Sequence, residues 1–179
     1  MKWEDCTTYM GPWDVMSSHL IKRDGPPPGL SSFTKIRLGW ITKDQVVIVK
    51  PGEEKRVILA PLAKGGSLLV VKIPLNGGLY YLLENRQSIG YDSLMPDTGL
   101  LILKVDPEAM EGSGTVRIMD ADPGAARFAH ATFQPGKARR DLFVDKENKL
   151  AVVPLRMKGE EMEVLITSPE RAANAAPKE

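Results

Sequence analysis

The segment GLYYLLENRQSIGYDSLMPDTGLLILKVD, which occupies residues 78–106, decides the fold predicted for this chain. It contains two strongly apolar runs, residues 79–83 and residues 100–105, separated by a polar loop. Aromatic and aliphatic runs of this length are typical of buried strands. The loop ends in the turn-forming sequence Pro-Asp-Thr-Gly at residues 96–99, so the two runs are predicted to be neighbouring strands.

The first apolar run ends in three polar residues, Glu84, Asn85 and Arg86. One interpretation is that Arg86 pairs with Glu84 or another carboxylate while Asn85 bonds loop backbone, which would pin the following loop. The other is that Arg86 or Asn85 reaches a substrate cleft and binds peptide backbone or a carboxylate. Charged residues at strand ends are more often architectural, which favours the first interpretation.

The remaining apolar runs are short and separated by Gly, Pro and Asn, a spacing typical of all-β proteins. Residues 45–49 and 56–60 flank a Pro-Gly turn and are predicted to form a hairpin. Residues 68–73 and 79–83 flank an Asn-Gly pair, which favours antiparallel pairing because both residues tolerate positive φ. The prediction is a mainly β fold, a β-sandwich or barrel-like body of about ten strands with one or two short helices.

Composition divides the chain into three parts. The first part is residues 1–41: residues 1–29 are rich in Gly, Pro, Asp and Ser and are predicted to be mostly loop, and residues 31–38 are predicted to form a short helix that Ser31 or Ser32 caps. Residues 42–168 form the β-rich domain. Residues 169–179 are Ala-rich and polar and are predicted to be disordered.

Charge and hydropathy restrict the partners. The chain has 24 Lys and Arg against 23 Asp and Glu, a net charge of +1, so nucleic acid is not an expected partner. No apolar run approaches the length of a membrane span, and the start of the sequence lacks the apolar core of a signal peptide. The single cysteine, Cys6, excludes an internal disulfide framework. As written, the sequence predicts a soluble, cytoplasmic chain.

Two carboxylates in a Gly-containing loop, Asp120 and Asp122, are weak candidates for calcium binding. A full calcium site needs about six to eight oxygen ligands, and the loop lacks the spacing of a recognised calcium motif. A solvated turn is therefore favoured. The alternation of residues 127–133 predicts a strand in which His130 makes a structural hydrogen bond.

Two blocks of the sequence stand out together. The first contains GPWDVMS at 11–17, LSSFTK at 30–35 and LGW at 38–40, and the second contains LENRQ at 83–87, GLLI at 99–102 and VD at 105–106. These blocks resemble the immune inhibitor A-like family of secreted zinc metallopeptidases: the first its stretch just downstream of the zinc helix, and the second its segment after the catalytic core. A departure is Leu103-Lys104, where the family often has Trp-His.

The resemblance implies an exported zinc metalloendopeptidase that acts on peptide or protein substrates. Met16 then corresponds to the family's methionine turn beneath the zinc, with Trp13 and Asp14 as structural support of the active site. A zinc peptidase of this kind needs His-Glu-x-x-His, in which two histidines one turn apart bind zinc and the glutamate activates water. The motif is absent, and the only histidines are His19 and His130.

The function implied by the resemblance is therefore the C-terminal portion of such a peptidase, with no catalytic residue and no metal of its own. Under this hypothesis residues 1–41 are the distal part of the catalytic domain. The alternative is a stand-alone, non-catalytic β-rich binding or scaffold module. An intact hydrolase with another mechanism is disfavoured, because the sequence contains no Gly-x-Ser-x-Gly elbow and no Cys/His pairing.

Overall fold

The computed structural model describes residues 9–15, 27–110 and 113–175. Three residues considered above, Cys6, Met16 and His19, lie outside these ranges. The methionine turn expected at Met16 is therefore not among the described features.

The described residues form nine strands in two sheets, with two short α-helices. The first sheet has the strand order β1-β3-β4-β5-β6 and the second has β2-β9-β8-β7. The predicted mainly β, sandwich-like fold is confirmed, and neither sheet closes into a barrel. The elements are β1 Val46–Ile48, β2 Lys55–Leu59, β3 Val70–Pro74, β4 Tyr80–Arg86, β5 Gly99–Val105, β6 Val116–Ile118, β7 Phe143–Asp145, β8 Leu150–Lys158, β9 Glu161–Thr167, α1 Ser32–Arg37 and α2 Pro169–Ala175.

The two apolar runs of the segment at 78–106 are the centre of the first sheet. They form β4 and β5, which pair antiparallel with Leu83 opposite Ile102. The predicted pairing across Asn-Gly is also confirmed, because β3 and β4 are antiparallel and a short 3₁₀ turn, Asn76–Gly78, joins them. Gly77 has a φ of 69° in that turn, a conformation that favours glycine.

The predicted hairpin between residues 45–49 and 56–60 is wrong. β1 pairs parallel with β3 in the first sheet, and β2 pairs antiparallel with β9 in the second. A turn is present between them, in which the backbone nitrogen of Glu53 donates to the carbonyl of Lys50 at 3.0 Å. The turn does not decide which strand pairs with β1 or with β2. Each of these strands buries its apolar side chains in the sheet where it finds a pairing partner.

The first sheet is buried on both faces, which explains why β4 and β5 are continuous apolar runs. Their alternate side chains divide between two cores. Tyr81, Leu83 and Ile102 face the second sheet, and Leu82 and Leu101 face a layer made of the N-terminal segment and α1. The layers are thus the N-terminal segment with α1, the first sheet, the second sheet, and α2.

The short helix predicted after Ser31 is present. Ser31 is its N-cap, with Oγ accepting from the backbone nitrogen of Thr34 at 3.4 Å. The helix ends before Leu38, and Gly39 follows with a φ of 73°. The helix contacts β4, and its first residue, Ser32, is hydrogen-bonded to Glu84 near the polar end of that strand.

The C-terminal segment differs from the prediction. Residues from Pro169 were expected to be disordered, but Pro169–Ala175 forms α2. Ala172 is fully buried and packs in a small core with Val153 and Leu165 on the outer face of the second sheet. Composition shows only that the segment is Ala-rich, whereas the docking site that makes the helix stable belongs to distant strands.

The strand predicted at residues 127–133 is also absent. Ala126–Phe128 is a 3₁₀ turn in which Arg127 and Phe128 have φ values of 57° and 56°. The carbonyl of Phe128 accepts a 2.9 Å hydrogen bond from Trp13 Nε1, a contact that the local sequence does not reveal. His130 lies in the following turn rather than in a strand.

Candidate functional site

The end of β4 carries three fully buried polar side chains, Glu84, Asn85 and Arg86. Alternation along the strand directs Glu84 and Arg86 to the N-terminal layer and Asn85 to the second sheet. Burying charged groups is unfavourable unless they are paired and hydrogen-bonded. The partners of these three side chains therefore show what the site is built to hold.

All five N–H groups of the Arg86 guanidinium have acceptors. Nε and Nη2 donate to the two oxygens of Asp92 at 2.8 and 2.9 Å. Nη1 donates to Glu84 Oε1 at 2.8 Å and to the carbonyl of Trp13 at 3.3 Å. Nη2 also donates to the carbonyl of Gly29 at 3.4 Å. One side chain thus joins β4, the loop after it, and two parts of the N-terminal layer.

Electrostatics keep the Arg86 guanidinium ionised. Burial by itself would lower the pKa of Arg86, but the adjacent carboxylates of Glu84 and Asp92 outweigh it and raise the pKa above its usual value. Lys35 lies nearby, and burial followed by repulsion from Arg86 lowers its pKa. The ammonium of Lys35 donates to the carbonyl of Leu62 at 2.9 Å, which anchors α1 to the segment after β2.

Two carboxylates accept hydrogen bonds from the start of α1. Asp14 Oδ2 accepts from the backbone nitrogen of Ser31 at 2.9 Å and from Thr34 Oγ1 at 3.0 Å. Glu84 Oε2 accepts from the backbone nitrogen of Ser32 at 2.7 Å. The first N–H groups of a helix have no partner within it, so these carboxylates satisfy them.

Asn85 faces the opposite side and connects the two sheets. Its Nδ2 donates to the carbonyls of Leu59 at 3.0 Å and Glu160 at 2.9 Å. Its Oδ1 accepts from Gln87 Nε2 at 2.7 Å. Adjacent residues of β4 therefore fix the N-terminal layer on one face and the second sheet on the other.

A second buried network holds the far end of the loop between β4 and β5. Arg140 pairs with Asp97 and donates from Nε and Nη2 to the carbonyl of Thr132 at 3.0 and 2.7 Å. Gln134 Nε2 also donates to Asp97 Oδ1 at 2.8 Å. The loop is thus anchored at Asp92 and again at Asp97.

The structure brings together four of the residues singled out from the sequence, namely Trp13, Asp14, Glu84 and Arg86. Asn85 is adjacent but faces the other sheet, and Met16 lies outside the described residues. Because every donor of Arg86 is used within the chain and the side chain is fully buried, the geometry favours loop attachment over substrate contact.

Sequence reasoning did not identify Asp92 or Arg140. Asp92 follows Arg86 by six residues in the same polar loop, and that proximity was the available signal. Arg140 lies in a short basic stretch that resembles a solvated loop. Its partner Asp97 is 43 residues away in sequence, so no local pattern connects them.

Asp120 and Asp122, the two carboxylates considered for calcium, contact groups of the same loop region. Asp120 Oδ1 accepts from the backbone nitrogen of Asp122 at 3.0 Å, and Asp122 Oδ2 lies 3.4 Å from His130 Nδ1. Burial raises the pKa of Asp120, which disfavours its charged form. Within residues 9–15, 27–110 and 113–175, no group of three or more His, Cys, Asp and Glu side chains is arranged to hold a metal ion.

No helix in the described part of the chain is both long enough and apolar enough to cross a membrane. Comparison of the sequence with protein-family models and with curated proteins, and of the structure with solved structures, finds no match.

Proposed function

We propose that this chain is the C-terminal portion of a zinc metallopeptidase of the immune inhibitor A-like type. In this proposal the intact protein hydrolyses peptide bonds in peptide or protein substrates, and the isolated chain is not catalytic. The role of this portion is to position the segment around Trp13 and Asp14, which the resemblance puts at the floor of the active site.

The observation that carries the proposal is the direct bonding between the two blocks of resemblance. Arg86 of the second block donates to the carbonyl of Trp13 in the first, and Glu84 accepts from the backbone of Ser32. Two sequence blocks thus converge on one buried network through pairs of residues that are 52 and 73 positions apart in the sequence. Such convergence is expected if both blocks serve one site in a larger protein.

The zinc implied by the resemblance does not fit the residues described here. The candidate ligands of the described part form no metal-binding group, and His130, the one described histidine, lies beside Asp122 on the surface. We therefore assign the metal and the water-activating glutamate to sequence upstream of Met1. No catalytic step is assigned to this chain.

The first test is to read the DNA upstream of the Met1 codon and translate it in frame. We expect a His-Glu-x-x-His segment that continues without a stop into Lys2 and Trp3. The longer protein should then cleave an unstructured protein substrate, lose this activity on chelation and regain it with zinc. A variant with Gln in place of the motif's glutamate is the control. A stop codon followed by a ribosome-binding site before Met1 would refute the proposal.

The alternative is a stand-alone, non-catalytic β-rich binding or scaffold module. The observation in its favour is that Arg86 is fully satisfied within the chain, so the described body needs no further contact there. A chain cut beside its active site should instead expose apolar surface and associate. Sedimentation and thermal melting of the purified chain without metal distinguish the two. The module should sediment as a monomer and melt cooperatively, whereas the cut chain should associate.

A further inference from the structure

The edge strands β1 and β2 form an open groove on one side of the sandwich. Each is the terminal strand of its sheet, and a short turn connects them, so the two sheet edges lie next to each other. The groove has a volume of about 470 Å³. A terminal strand offers unpaired backbone N–H and C=O groups to any segment that can lie beside it.

The lining of the groove combines an apolar floor with a charged rim. Val47 comes from β1, Val57 from β2, and Leu68 from the segment before β3. Ile58 of β2 also borders the groove and is 40% exposed, although it is a large apolar side chain. Alternating apolar contacts beside a free strand edge are what an extended peptide requires.

The rim is positively charged. Lys55 and Arg56 line the groove, and Glu163, the one carboxylate among its described lining residues, is already bound. Glu163 Oε2 accepts from Arg156 Nε at 2.7 Å and lies 3.1 Å from the ammonium of Lys158. These contacts lower the pKa of Glu163 and keep it ionised. Among the charged side chains that line the groove, Lys55 and Arg56 therefore remain beside a carboxylate that is already paired with cations outside the groove.

We propose that this groove binds an extended, acidic polypeptide segment of a partner protein, which adds as a strand to the edge of β2 that no described strand occupies. Apolar side chains on one face of the segment contact Val57 and Leu68, and the carboxylates on its other face lie beside Arg56, because successive residues of a strand point to opposite faces. The site is separate from the buried network at the end of β4. It does not depend on the peptidase proposal.

The chemistry of the lining favours a polypeptide over another anionic partner. Proteins that bind single-stranded nucleic acid without sequence preference use aromatic stacking as well as cations, and none of the described residues that line this groove is aromatic. A second copy of this chain would bring its own Lys55 and Arg56 against the same rim, and such like-charge contact disfavours association.

The test uses the chain alone and a fluorescent hexapeptide, acetyl-Glu-Val-Asp-Val-Glu-Val-amide. We expect saturable binding by fluorescence anisotropy, with amide shifts in two-dimensional NMR confined to residues 45–48, 55–59 and 68. Arg56→Glu should weaken binding by about tenfold or more, because it replaces an attractive rim charge with a repulsive one. Lys137→Glu makes the same charge change at an exposed site outside the groove and should leave binding unchanged.

A second pair of peptides leaves the protein unaltered. N-methylation of alternate residues of the hexapeptide blocks backbone pairing and should abolish binding. The peptide Val-Val-Val-Glu-Asp-Glu has the same composition without the alternation, and it should bind much more weakly than the alternating peptide. The proposal is overturned if the alternating peptide does not bind, or if it binds the Arg56→Glu variant equally well. It is also overturned if a single-stranded oligonucleotide shifts the same amide signals and binds more tightly than the peptide. Dimerisation of the free protein through β2 would overturn it as well.

Discussion

Arg86 and Asp92 form a bidentate ion pair in which Nε lies 2.8 Å from Oδ2 and Nη2 lies 2.9 Å from Oδ1, with both side chains almost completely removed from solvent. The pair attaches the loop after β4 to the strand itself. Because the same guanidinium also binds the carbonyls of Trp13 and Gly29, the loop and the N-terminal layer share one anchor. Loss of the guanidinium should therefore affect both.

Arg86→Met should destabilise the chain by about 3–5 kcal/mol, because it leaves the carboxylates of Glu84 and Asp92 buried without a cation. Urea denaturation followed by circular dichroism measures the change. Arg171→Met is the matched control at an exposed ion pair, and it should change the free energy of unfolding very little. A loss below about 1 kcal/mol for Arg86→Met would contradict the assigned role.

The triple variant Arg86→Met, Glu84→Gln and Asp92→Leu should be more stable than the sum of its single changes predicts. Removing the whole charged group leaves no uncompensated ion, whereas each single change does. The same denaturation experiment measures this coupling. Additive losses would mean that the three side chains act independently.

Gly99→Ala should destabilise the chain by about 2–4 kcal/mol, combining backbone strain with overpacking. Gly99 has a φ of 142°, and a Cβ there would lie 2.6 Å from the carbonyl oxygen of Phe133 and 3.0 Å from Thr132 Cβ. Gly39→Ala is the control, since Gly39 also has a positive φ but faces open space. Thermal melting of both variants should show a clearly larger loss for Gly99→Ala.

Tyr81→Phe should make the chain less sensitive to alkaline pH. Burial, and then a 2.9 Å hydrogen bond to Asp145, raises the pKa of Tyr81 in the folded state. Above pH of about 10 the unfolded tyrosine loses its proton while the folded one keeps it, so stability falls as pH rises. The variant should lose about 1 kcal/mol at neutral pH and show a flatter decline above pH of about 10.

Urea denaturation at several pH values between neutrality and about pH 11 measures the two slopes. Tyr91→Phe serves as the control at a tyrosine that is 67% exposed. The prediction fails if Tyr81→Phe and the unaltered chain decline in parallel.

Ala172→Asp should detach α2 from the second sheet and speed tryptic cleavage after Arg171. Ala172 is fully buried against β8 and β9, so a carboxylate there would have to leave the core. Ala173→Asp makes the same change one position later, on the exposed side of the helix. Limited proteolysis followed by mass spectrometry should show faster cleavage for Ala172→Asp only. Equal rates would mean that α2 is not held by this contact.

The sequence alone predicted the mainly β fold and its central strand pair. The apolar runs of β4 and β5 indicated buried strands, and the Asn-Gly pair indicated the β3–β4 turn. It also predicted the short helix after Ser31. These features depend on residues close together in the chain, where hydrophobic pattern, turn residues and capping residues act directly on the backbone.

Only the tertiary structure decided the rest. The partners of β1 and β2, the helix at Pro169–Ala175 and the turn at Ala126–Phe128 all depend on contacts with distant segments. At the candidate site, the sequence identified Glu84 and Arg86 but not Asp92 or Arg140. A polar residue within an apolar run indicates that its side chain will need a hydrogen-bonding partner when it is buried. The identity of that partner depends on how the layers pack, which is a property of the whole fold.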